Sequence, residues 1–276
     1  MHNFFAKFRF YRRKWVLLHQ IYFTMKHLTL ILTAAIAIAL ASCSRGPITA
    51  NLMCYNVHNC VGLDDSLSCE RIARIINDAE VEAVALQELD SMTTRYPGHD
   101  MLSEVAALTD MYPTYAASID YRGGKYGIGI LTKKKPLSHR RVPLPCRSEP
   151  RSLLIVELED YYYCCTHLSL HEEDRVKSIS IIVNELSQLD KPAIIAGDFN
   201  ALPNSMPMQF LARQFHIFPK SGVPFTFPAN KPEREIDYIA LYTGGGATAN
   251  VLRHEVLTAP VESDHAPIVA RVEITE

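Results

Sequence analysis

The chain has 276 residues and 48% hydrophobic content, which is the composition of one ordinary globular domain. Residues 1–42 hold six Lys and Arg residues and no Asp or Glu, so the remainder has 22 basic against 30 acidic side chains and a net charge of −8. This charge disfavours a dedicated nucleic-acid-binding protein, because such proteins neutralise phosphate groups with a basic surface.

The first part of the chain has the pattern of a targeting segment. An apolar run from Leu28 to Ala41 follows Lys26 and leads into Leu40-Ala41-Ser42-Cys43, a small-residue cleavage site. The run is too short for a comfortable transmembrane span. It resembles a bacterial lipoprotein signal peptide, which implies that Cys43 is lipidated. The implied location is the bacterial cell envelope, with a lipid anchor in the periplasm or at the outer membrane.

The leader sets the expected boundaries of the chain. Residues 25–42 are interpreted as the signal peptide, residues 43–48 as the lipidated cysteine and its tether, and residues 49–276 as the folded domain. Met25 is a more natural start for such a leader than Met1, so residues 1–24 are interpreted as a gene-model extension. An unusually long basic amino-terminal region is the alternative.

The first half of the domain alternates strand and helix patterns. Ser68 is placed to cap the first helix, whose apolar stripe includes Ile72 and Ile76. Apolar runs and three-four spacing predict these further elements: strands at Asn51–Asn56 and Val81–Gln87, a helix at Met101–Thr109, and strands at Tyr115–Ile119 and Tyr126–Thr132 joined by a turn at Arg122–Lys125.

The second half repeats this pattern. The apolar run that starts at Ala193 and stops at Gly197 predicts a strand buried on both faces. The other predicted elements are a hairpin of Ser152–Glu159 and Tyr161–His167, helices at Glu172–Leu189 and Ser205–Phe215, a loop at Thr226–Arg234, and strands at Glu235–Leu241 and Ala266–Ile274.

Polar residues stand at the ends of several predicted strands: Asn56, Glu88, His167, Asp198 and Asn200 close strands, and Asp264-His265 opens one. Functional groups in layered α/β folds gather at strand ends along one rim, so these side chains are expected to converge. Asp198 and Asn200 are two residues apart and point the same way if the strand continues. The alternative for this pair is an ordinary turn.

The oxygen-rich character of this set favours Mg²⁺ or Mn²⁺ over zinc. The sequence has no Gly-x-Ser-x-Gly elbow, no Walker loop, no complete His-Glu-x-x-His and no Cys-x-x-Cys pair. Disulfide pairing among the six cysteines after Cys43 cannot be deduced from sequence. Cys164 and Cys165 are neighbours in a predicted strand, so they are expected to face opposite ways and to serve in packing.

Six short motifs stand in a fixed order along the domain: Tyr55-Asn56, Leu86-Gln87-Glu88, Thr166-His167-Leu168, Gly197-Asp198-Phe199-Asn200, Ile236-Asp237-Tyr238 and Ser263-Asp264-His265-Ala266-Pro267. The series resembles that of the endonuclease/exonuclease/phosphatase superfamily, which has the DNase I-like fold. Thr226–Arg234 and Gly123–Leu131 resemble its small bacterial metal-dependent hydrolases.

The resemblance spans nearly all of residues 49–276 and makes them the catalytic domain. It implies an α/β (α+β) fold in four layers, with two mixed β-sheets packed face to face and helices on the outside. Glu88 would be the principal Mg²⁺ ligand, helped by Asn56 and Asp264, and Mn²⁺ is the other candidate ion.

The same resemblance implies roles for the remaining motif residues. Asp198 would orient or deprotonate the attacking water, and Asn200 would hydrogen-bond the phosphoryl group. His265 would contact the phosphate or transfer a proton, with Asp237 fixing its tautomer. His167 would donate to a non-bridging oxygen as negative charge builds up.

Residues outside the motifs give weaker expectations. Arg151 and His58 are candidates for contact with the substrate, whereas Lys231 and Arg234 are better explained as solvated surface charges. Close relatives often carry a polar residue where Ile128 or Gly129 stands, so substrate contacts at these positions stay open.

The resemblance therefore implies a lipid-anchored, Mg²⁺-dependent phosphoesterase, acting outside the cytoplasm on a small-molecule or lipid-linked phosphoester and expected to be a monomer. An exported nuclease is the alternative within the enzyme class, although the charge of residues 43–276 disfavours nucleic acid as a partner. A non-catalytic lipid-anchored binding module is the second alternative. It has no need for the full set of motif residues.

Overall fold

A computed structural model describes residue 15, residues 22–27 and residues 46–275. The chain divides into two compact units, Met1–Gly46 and Pro47–Glu276. The apolar run after Lys26 and the predicted lipidation site Cys43 lie outside the described residues. Within the described part of the chain, no helix is long and apolar enough to cross a membrane.

The second unit contains twelve strands and four α-helices within the described residues. In chain order they are β1 (Ile48–Asn56), α1 (Cys69–Asp78), β2 (Ala83–Ser91), α2 (Met101–Thr109), β3 (Tyr112–Tyr121), β4 (Gly124–Thr132), β5 (Ser138–Leu144), β6 (Arg151–Glu157), β7 (Tyr162–His167), α3 (Glu172–Leu186), β8 (Ala193–Asp198), α4 (Met206–Leu211), β9 (Phe215–Ile217), β10 (Asp237–Tyr242), β11 (Thr248–Val256) and β12 (Ile268–Thr275).

The strands form two six-stranded mixed sheets with matching topology. One sheet has the order β11-β12-β1-β2-β4-β3 and the other has the order β5-β6-β7-β8-β10-β9. The parallel pairs are central, β1 with β2 and β7 with β8, and each is connected through a helix, α1 or α3. The other pairs are antiparallel. A parallel pair brings the carboxyl ends of both strands to the same edge.

Alternate side chains of the central strands explain the four layers. Leu52 on β1 and Ile194 on β8 are fully buried in the cluster between the two sheets. Met53 faces the opposite way and packs with α1 and α2, while Ile195 packs with α3 and α4. Because strands with two buried faces need apolar residues at every position, these segments read as continuous apolar runs. The expected fold class is confirmed.

Local signals placed most elements correctly. Ser68 caps α1, since its Oγ accepts a hydrogen bond from the Arg71 amide at 3.3 Å. Arg122 and Gly123 both have positive φ and form the predicted turn between β3 and β4. Cys165 lies between the sheets and Cys164 lies under the helices, which confirms that these neighbours face opposite ways. Both are free thiols, as are the other cysteines that the structure describes.

Several expectations on extent were wrong. Strands β5, β9 and β11 were not predicted, because they are short or lie at sheet edges with mostly exposed residues, where apolar patterning is weak. The predicted helix Ser205–Phe215 ends at Leu211, and Phe215 begins β9. Glu88 does not close its strand, because β2 continues to Ser91 and Glu88 lies within it.

Candidate active site

The predicted polar residues converge where the two central parallel pairs end. Asp198 on β8 has two register partners, His167 on β7 and Asp237 on β10. Asn56, at the end of β1 in the other sheet, donates from Nδ2 to Asp198 Oδ2 at 3.2 Å. Asp198 therefore contacts site residues from both sheets.

Asp198 is almost completely buried and surrounded by nitrogen atoms. Its Oδ2 lies 3.5 Å from His167 Nε2 and 3.6 Å from His265 Nε2. Its Oδ1 accepts a hydrogen bond from the backbone amide of Asn200 at 2.8 Å. One carboxylate oxygen is thus fixed by the backbone, while the other faces two imidazoles.

His265 is held by the carboxylate of Asp237, as the resemblance implied. The distance from His265 Nδ1 to Asp237 Oδ2 is 2.9 Å, and Thr226 Oγ1 donates to the same oxygen at 2.5 Å. The Phe227 ring packs on His265 with its centroid 4.8 Å away. Because Nδ1 is engaged and the ring is packed, Nε2 is aimed at Asp198.

Glu88 sits at an irregularity in β2. The register between β2 and β4 shifts between Leu86 and Leu89, and Glu88 has a φ of 61°, in the left-handed region. Such a conformation costs a non-glycine residue about 1–3 kcal/mol and is concentrated at functional sites. The bulge directs the half-buried carboxylate to Asn56, whose Nδ2 donates to Glu88 Oε1 at 2.9 Å.

Asn56 joins the two halves of the site. Its amide nitrogen donates to both Glu88 and Asp198, and its Oδ1 accepts from the backbone amide of His58 at 3.1 Å. The His58 amide fixes this orientation, because a backbone N–H can only donate. In this geometry Asn56 is a bridge between carboxylates, and its predicted role as a metal ligand requires the side-chain amide to turn over.

Asn200 follows Asp198 in a left-handed conformation, with a φ of 50° that asparagine tolerates better than most residues. Its Nδ2 donates to the Leu168 carbonyl at 3.1 Å, which joins the segments after β7 and β8. The side chain is partly exposed at the rim. Asp198 and Asn200 do form a turn, as the alternative interpretation held. Asp198 also contacts groups from distant parts of the chain, so a turn alone does not describe this segment.

The charges of these groups depend on burial and on one another. Burial raises the pKa of Asp198 to about 7; His265 opposes the rise, and Asp237 and Glu88 add to it. Burial alone would lower the pKa of His265, but Asp237 and Asp198 outweigh it and raise this pKa to about 10. Burial, Arg151 and His265 together hold the pKa of His167 well below its usual range. At neutral pH His265 is therefore an imidazolium and His167 is neutral.

The remaining predicted residues make separate contacts. Arg151 is 8% exposed, its Nη1 contacts Glu149, and its Nε is buried without a hydrogen-bond partner among the described residues. His58 Nδ1 is 3.1 Å from the Val61 carbonyl. Asp264 is half-buried, with Oδ1 3.4 Å from Ser263 Oγ. Lys231 forms an exposed ion pair with Glu233, as expected of a surface charge.

The donor atoms fit a hard divalent cation at Glu88. One oxygen of its half-exposed carboxylate accepts from Asn56, and the other is not hydrogen-bonded within the part of the chain that the structure describes. Mg²⁺ is often held by one or two carboxylates and several waters. A second cluster, Asp198, Asp237 and His265, has potential ligand atoms within 4.8 Å of one another. It contains none of the predicted ligands, and its internal hydrogen bond suits proton handling better than metal binding.

The sequence and the fold were compared with those of known proteins. The sequence profile described as "Endonuclease/Exonuclease/phosphatase family" matches residues 53–265. The chain belongs to this family. No curated protein matches the sequence. The match begins in β1 and ends at His265, so it contains every residue of the site described above.

Several solved structures share the fold. A family protein from Bacteroides vulgatus is 18% identical with a TM-score of 0.68, covering 83% of this chain and 100% of its own. The mannosyl-6-phosphatase Bt3783 of Bacteroides thetaiotaomicron is 16% identical with a TM-score of 0.64, covering 82% and 100%. ANGEL2, a 2′,3′-cyclic phosphatase, is 14% identical with a TM-score of 0.63, covering 82% and 95%. Identities this low show the fold alone.

Sequence reasoning missed several groups that support the family motifs. Thr226 was assigned only to a loop, although its hydroxyl contacts Asp237. Ser263 donates from Oγ to the Asn56 carbonyl at 2.7 Å, a contact between residues 207 positions apart. Ser263 and Asn56 both lie in quoted motifs, but no local signal predicts that they contact each other. Gln87 also lies in a quoted motif and is fully buried, where its side chain contacts Cys165 Sγ.

Proposed function

We propose that this protein is a Mg²⁺-dependent phosphoesterase that hydrolyses a small-molecule or lipid-linked phosphoester, with Mn²⁺ as a substitute ion. The observation that carries the proposal is the Asp198 carboxylate, buried between His167 and the Asp237-bound His265 and bridged to Glu88 by Asn56. Phosphoester hydrolysis needs a positioned water, neutralised phosphoryl oxygens and help for the leaving oxygen.

Each protein group has a distinct task in this proposal. Asp198 accepts the proton of the attacking water or orients that water, since Oδ1 is fixed by the Asn200 amide and Oδ2 faces the site. His265 carries a positive charge that Asp237 maintains, so its Nε2–H donates to a phosphoryl or leaving oxygen. Neutral His167 adds a further hydrogen bond to a non-bridging oxygen.

Glu88 would hold the cation, with Asn56 and Asp264 completing its surroundings. When bound, such an ion neutralises negative charge on the phosphoryl oxygens and on the leaving oxygen. Asn200 and Arg151 supply protein donors for the same charge. The Nε of Arg151 is buried and has no hydrogen-bond partner within the described ranges, which supports a role in binding phosphate, because such a donor costs about 1–3 kcal/mol.

The location of the enzyme is proposed from sequence alone. We infer that Cys43 carries a lipid that anchors residues 49–276 to the bacterial cell envelope, and that the protein is a monomer. Mass spectrometry of the mature amino terminus and membrane fractionation of a Cys43→Ser variant test the anchor. A soluble, unmodified wild-type protein would contradict it, without bearing on the chemistry of the site.

The activity is tested by a screen of the full chain with Mg²⁺, Mn²⁺ or EDTA. The panel contains aryl phosphate monoesters and diesters, sugar phosphates, inositol phosphates, phospholipids, sphingomyelin, and plasmid and single-stranded DNA. We expect EDTA-sensitive hydrolysis of a small or lipid phosphoester. DNA digestion that weakens steeply with salt would favour a nuclease, and hydrolysis of nothing on the panel would favour a binding module.

A further inference from the structure

A group of side chains beside Glu88 has no task in the chemistry described above. It consists of Arg95, Tyr96, Tyr121 and Tyr126, and is named here the Arg95 wall. Tyr126 is the register partner of Asp90 across β2 and β4, so it stands two positions along β2 from Glu88. Burial and then the charge of Glu88 raise the pKa of the Tyr126 hydroxyl, which agrees with this placement.

Arg95 is held by a bidentate ion pair with Asp90. Its Nε lies 2.6 Å from Asp90 Oδ2, and its Nη2 lies 2.7 Å from Asp90 Oδ1. Asp90 is fully buried and also accepts a hydrogen bond from Thr93 at 2.6 Å. Nη2 contacts Asn59 Oδ1 at 2.5 Å as well, in the turn that follows Asn56. The bidentate pair fixes the plane of the guanidinium and cancels its charge.

Three tyrosine rings surround this guanidinium. The Arg95 Cζ lies 4.9 Å from the ring centroid of Tyr121, 5.4 Å from that of Tyr96 and 5.6 Å from that of Tyr126. The rings of Tyr121 and Tyr126 are 6.1 Å apart and tilted by 51°. The wall is therefore a rigid, partly exposed surface of aromatic carbon with a neutralised guanidinium at its centre.

Two polar groups of the wall are open to a ligand. Arg95 Nη1 and the Tyr126 hydroxyl have no hydrogen-bond partner within the part of the chain that the structure describes. The Arg95 side chain is 23% exposed, and Nη1 is the guanidinium nitrogen that neither Asp90 nor Asn59 engages. One donor and one group that both donates and accepts thus stand beside aromatic faces.

This chemistry selects among ligands. A second phosphate is disfavoured at Arg95, because the bidentate pair with Asp90 cancels its charge. Arg122 lies over the Tyr121 ring, with its Cζ 5.4 Å from the centroid. A flat base would stack on one of the two rings only, because they are tilted against each other by 51°. A ring that carries several hydroxyl groups offers C–H faces to the tyrosines and neutral oxygens to Nη1 and to the Tyr126 hydroxyl.

We infer that the Arg95 wall binds a polyhydroxylated ring, a sugar or a cyclitol, that is attached to the phosphoester cleaved at the Glu88–Asp198 site. The inference rests on the proposed phosphoesterase function and specifies its substrate class. Tyr126 and Arg95 are then specificity residues that touch the part of the substrate outside the phosphoryl group.

The test compares ring and chain substrates of equal carbon number. The full chain is assayed with a hexose 6-phosphate, inositol 1-phosphate and n-hexyl phosphate, each as the monoester and as the methyl diester. We expect kcat/KM for at least one ring substrate to exceed that for the hexyl ester by more than about tenfold, and the two ring arms separate sugar from cyclitol. Tyr126→Phe loses one neutral hydrogen bond and should reduce the ring-to-chain ratio about three- to tenfold.

Tyr121→Leu, which removes an aromatic face, should reduce the same ratio. Tyr112→Phe is the matched control, because Tyr112 is exposed at the opposite end of β3 and should leave the ratio unchanged. Thermal melts confirm that each variant folds. An unchanged ratio in both wall variants, or a wild-type enzyme that prefers the hexyl ester, overturns the inference and leaves the proposed function standing.

A wild-type protein that hydrolyses no substrate instead refutes the proposed function, and binding then decides on the wall. Calorimetric titration in EDTA with the two ring phosphates measures this directly. Binding of either one that weakens about three- to tenfold in Tyr126→Phe supports the wall. Absence of ring-phosphate binding to wild type overturns it.

Discussion

Replacing Asp198 by Asn should lower the activity sharply and stabilise the fold at the same time. Asn has the same shape, and its Oδ1 can still accept from the Asn200 amide, but it cannot take a proton from water. Loss of a general base typically lowers the rate about 10²- to 10⁴-fold. We expect a loss of this size in kcat/KM at pH 8.

The stability change follows from the burial of the carboxylate. Its pKa rises from an ordinary 3.8 to about 7, so the folded state binds a proton that the unfolded state has lost between these pH values. The ionised group therefore destabilises the fold above pH 7, by up to ~4 kcal/mol. His265 already opposes the rise of the Asp198 pKa, so its attraction is contained in this figure. In the variant the new amide nitrogen cannot accept from Asn56 Nδ2, which costs about 1–3 kcal/mol. We therefore expect the free energy of unfolding at pH 8 to rise by about 1–2 kcal/mol.

Urea unfolding at pH 8 in EDTA measures the stability, and hydrolysis of an aryl phosphoester measures the rate. Asp174→Asn is the matched control, because Asp174 is also buried but accepts hydrogen bonds from the Arg147 amide and Ser169. Burial there is outweighed by these contacts and by the charge of Arg147, and the pKa of Asp174 is lowered. Its replacement should destabilise. An active Asp198→Asn variant, or one less stable than wild type, would refute the reasoning.

Three further outcomes are expected. The plot of kcat/KM against pH should be bell-shaped. It should rise with a midpoint at or below about 7 as Asp198 ionises, since a cation beside Glu88 lowers the pKa of Asp198, and it should fall near 10 as His265 loses its proton. A profile that is flat from pH 5 to 8 contradicts this expectation. Glu88→Gln should raise the Mg²⁺ concentration for half-maximal activity at least about tenfold and remove the increase in Tm that Mg²⁺ gives to wild type, without loss of fold; wild-type Mg²⁺ dependence would place the metal elsewhere. Gly197→Ala should cost at least about 1–3 kcal/mol in urea unfolding, because its Cβ would lie 2.1 Å from the Thr166 carbonyl, whereas Gly245→Ala meets no atom within 4 Å and serves as the control.

Much of the architecture was present in the sequence as local pattern. A strand buried on both faces is mostly apolar, so β1, β2, β7 and β8 could be recognised without knowledge of their partners. The cap of α1 at Ser68 depends on contacts within one turn of helix. The residues that close and open these strands identified the family, because chemistry placed at strand ends leaves polar residues in fixed order along the chain.

The tertiary structure decided how these residues act on one another. Asn56 and Asp198 are 142 residues apart. Only the packing of the two sheets lets the Asn56 amide nitrogen bridge the carboxylates of Asp198 and Glu88, instead of leaving its oxygen as a metal ligand. The left-handed φ of Glu88 comes from a register shift against β4, which no property of Glu88 itself encodes. Thr226 lies in a loop, and its hydroxyl contacts Asp237 only because the fold places that loop beside the start of β10.

The Arg95 wall shows the same division. Its members lie in a loop and a hairpin, and a lone arginine or tyrosine in sequence is an ordinary surface residue. The buried Asp90 that fixes Arg95 belongs to β2, and the rings around the guanidinium come from the β3–β4 hairpin and the loop after β2. Sequence determined which groups stand at the rim, since strand patterns are local. The fold alone decided their protonation, orientation and partners, because those depend on burial and on contacts between distant segments.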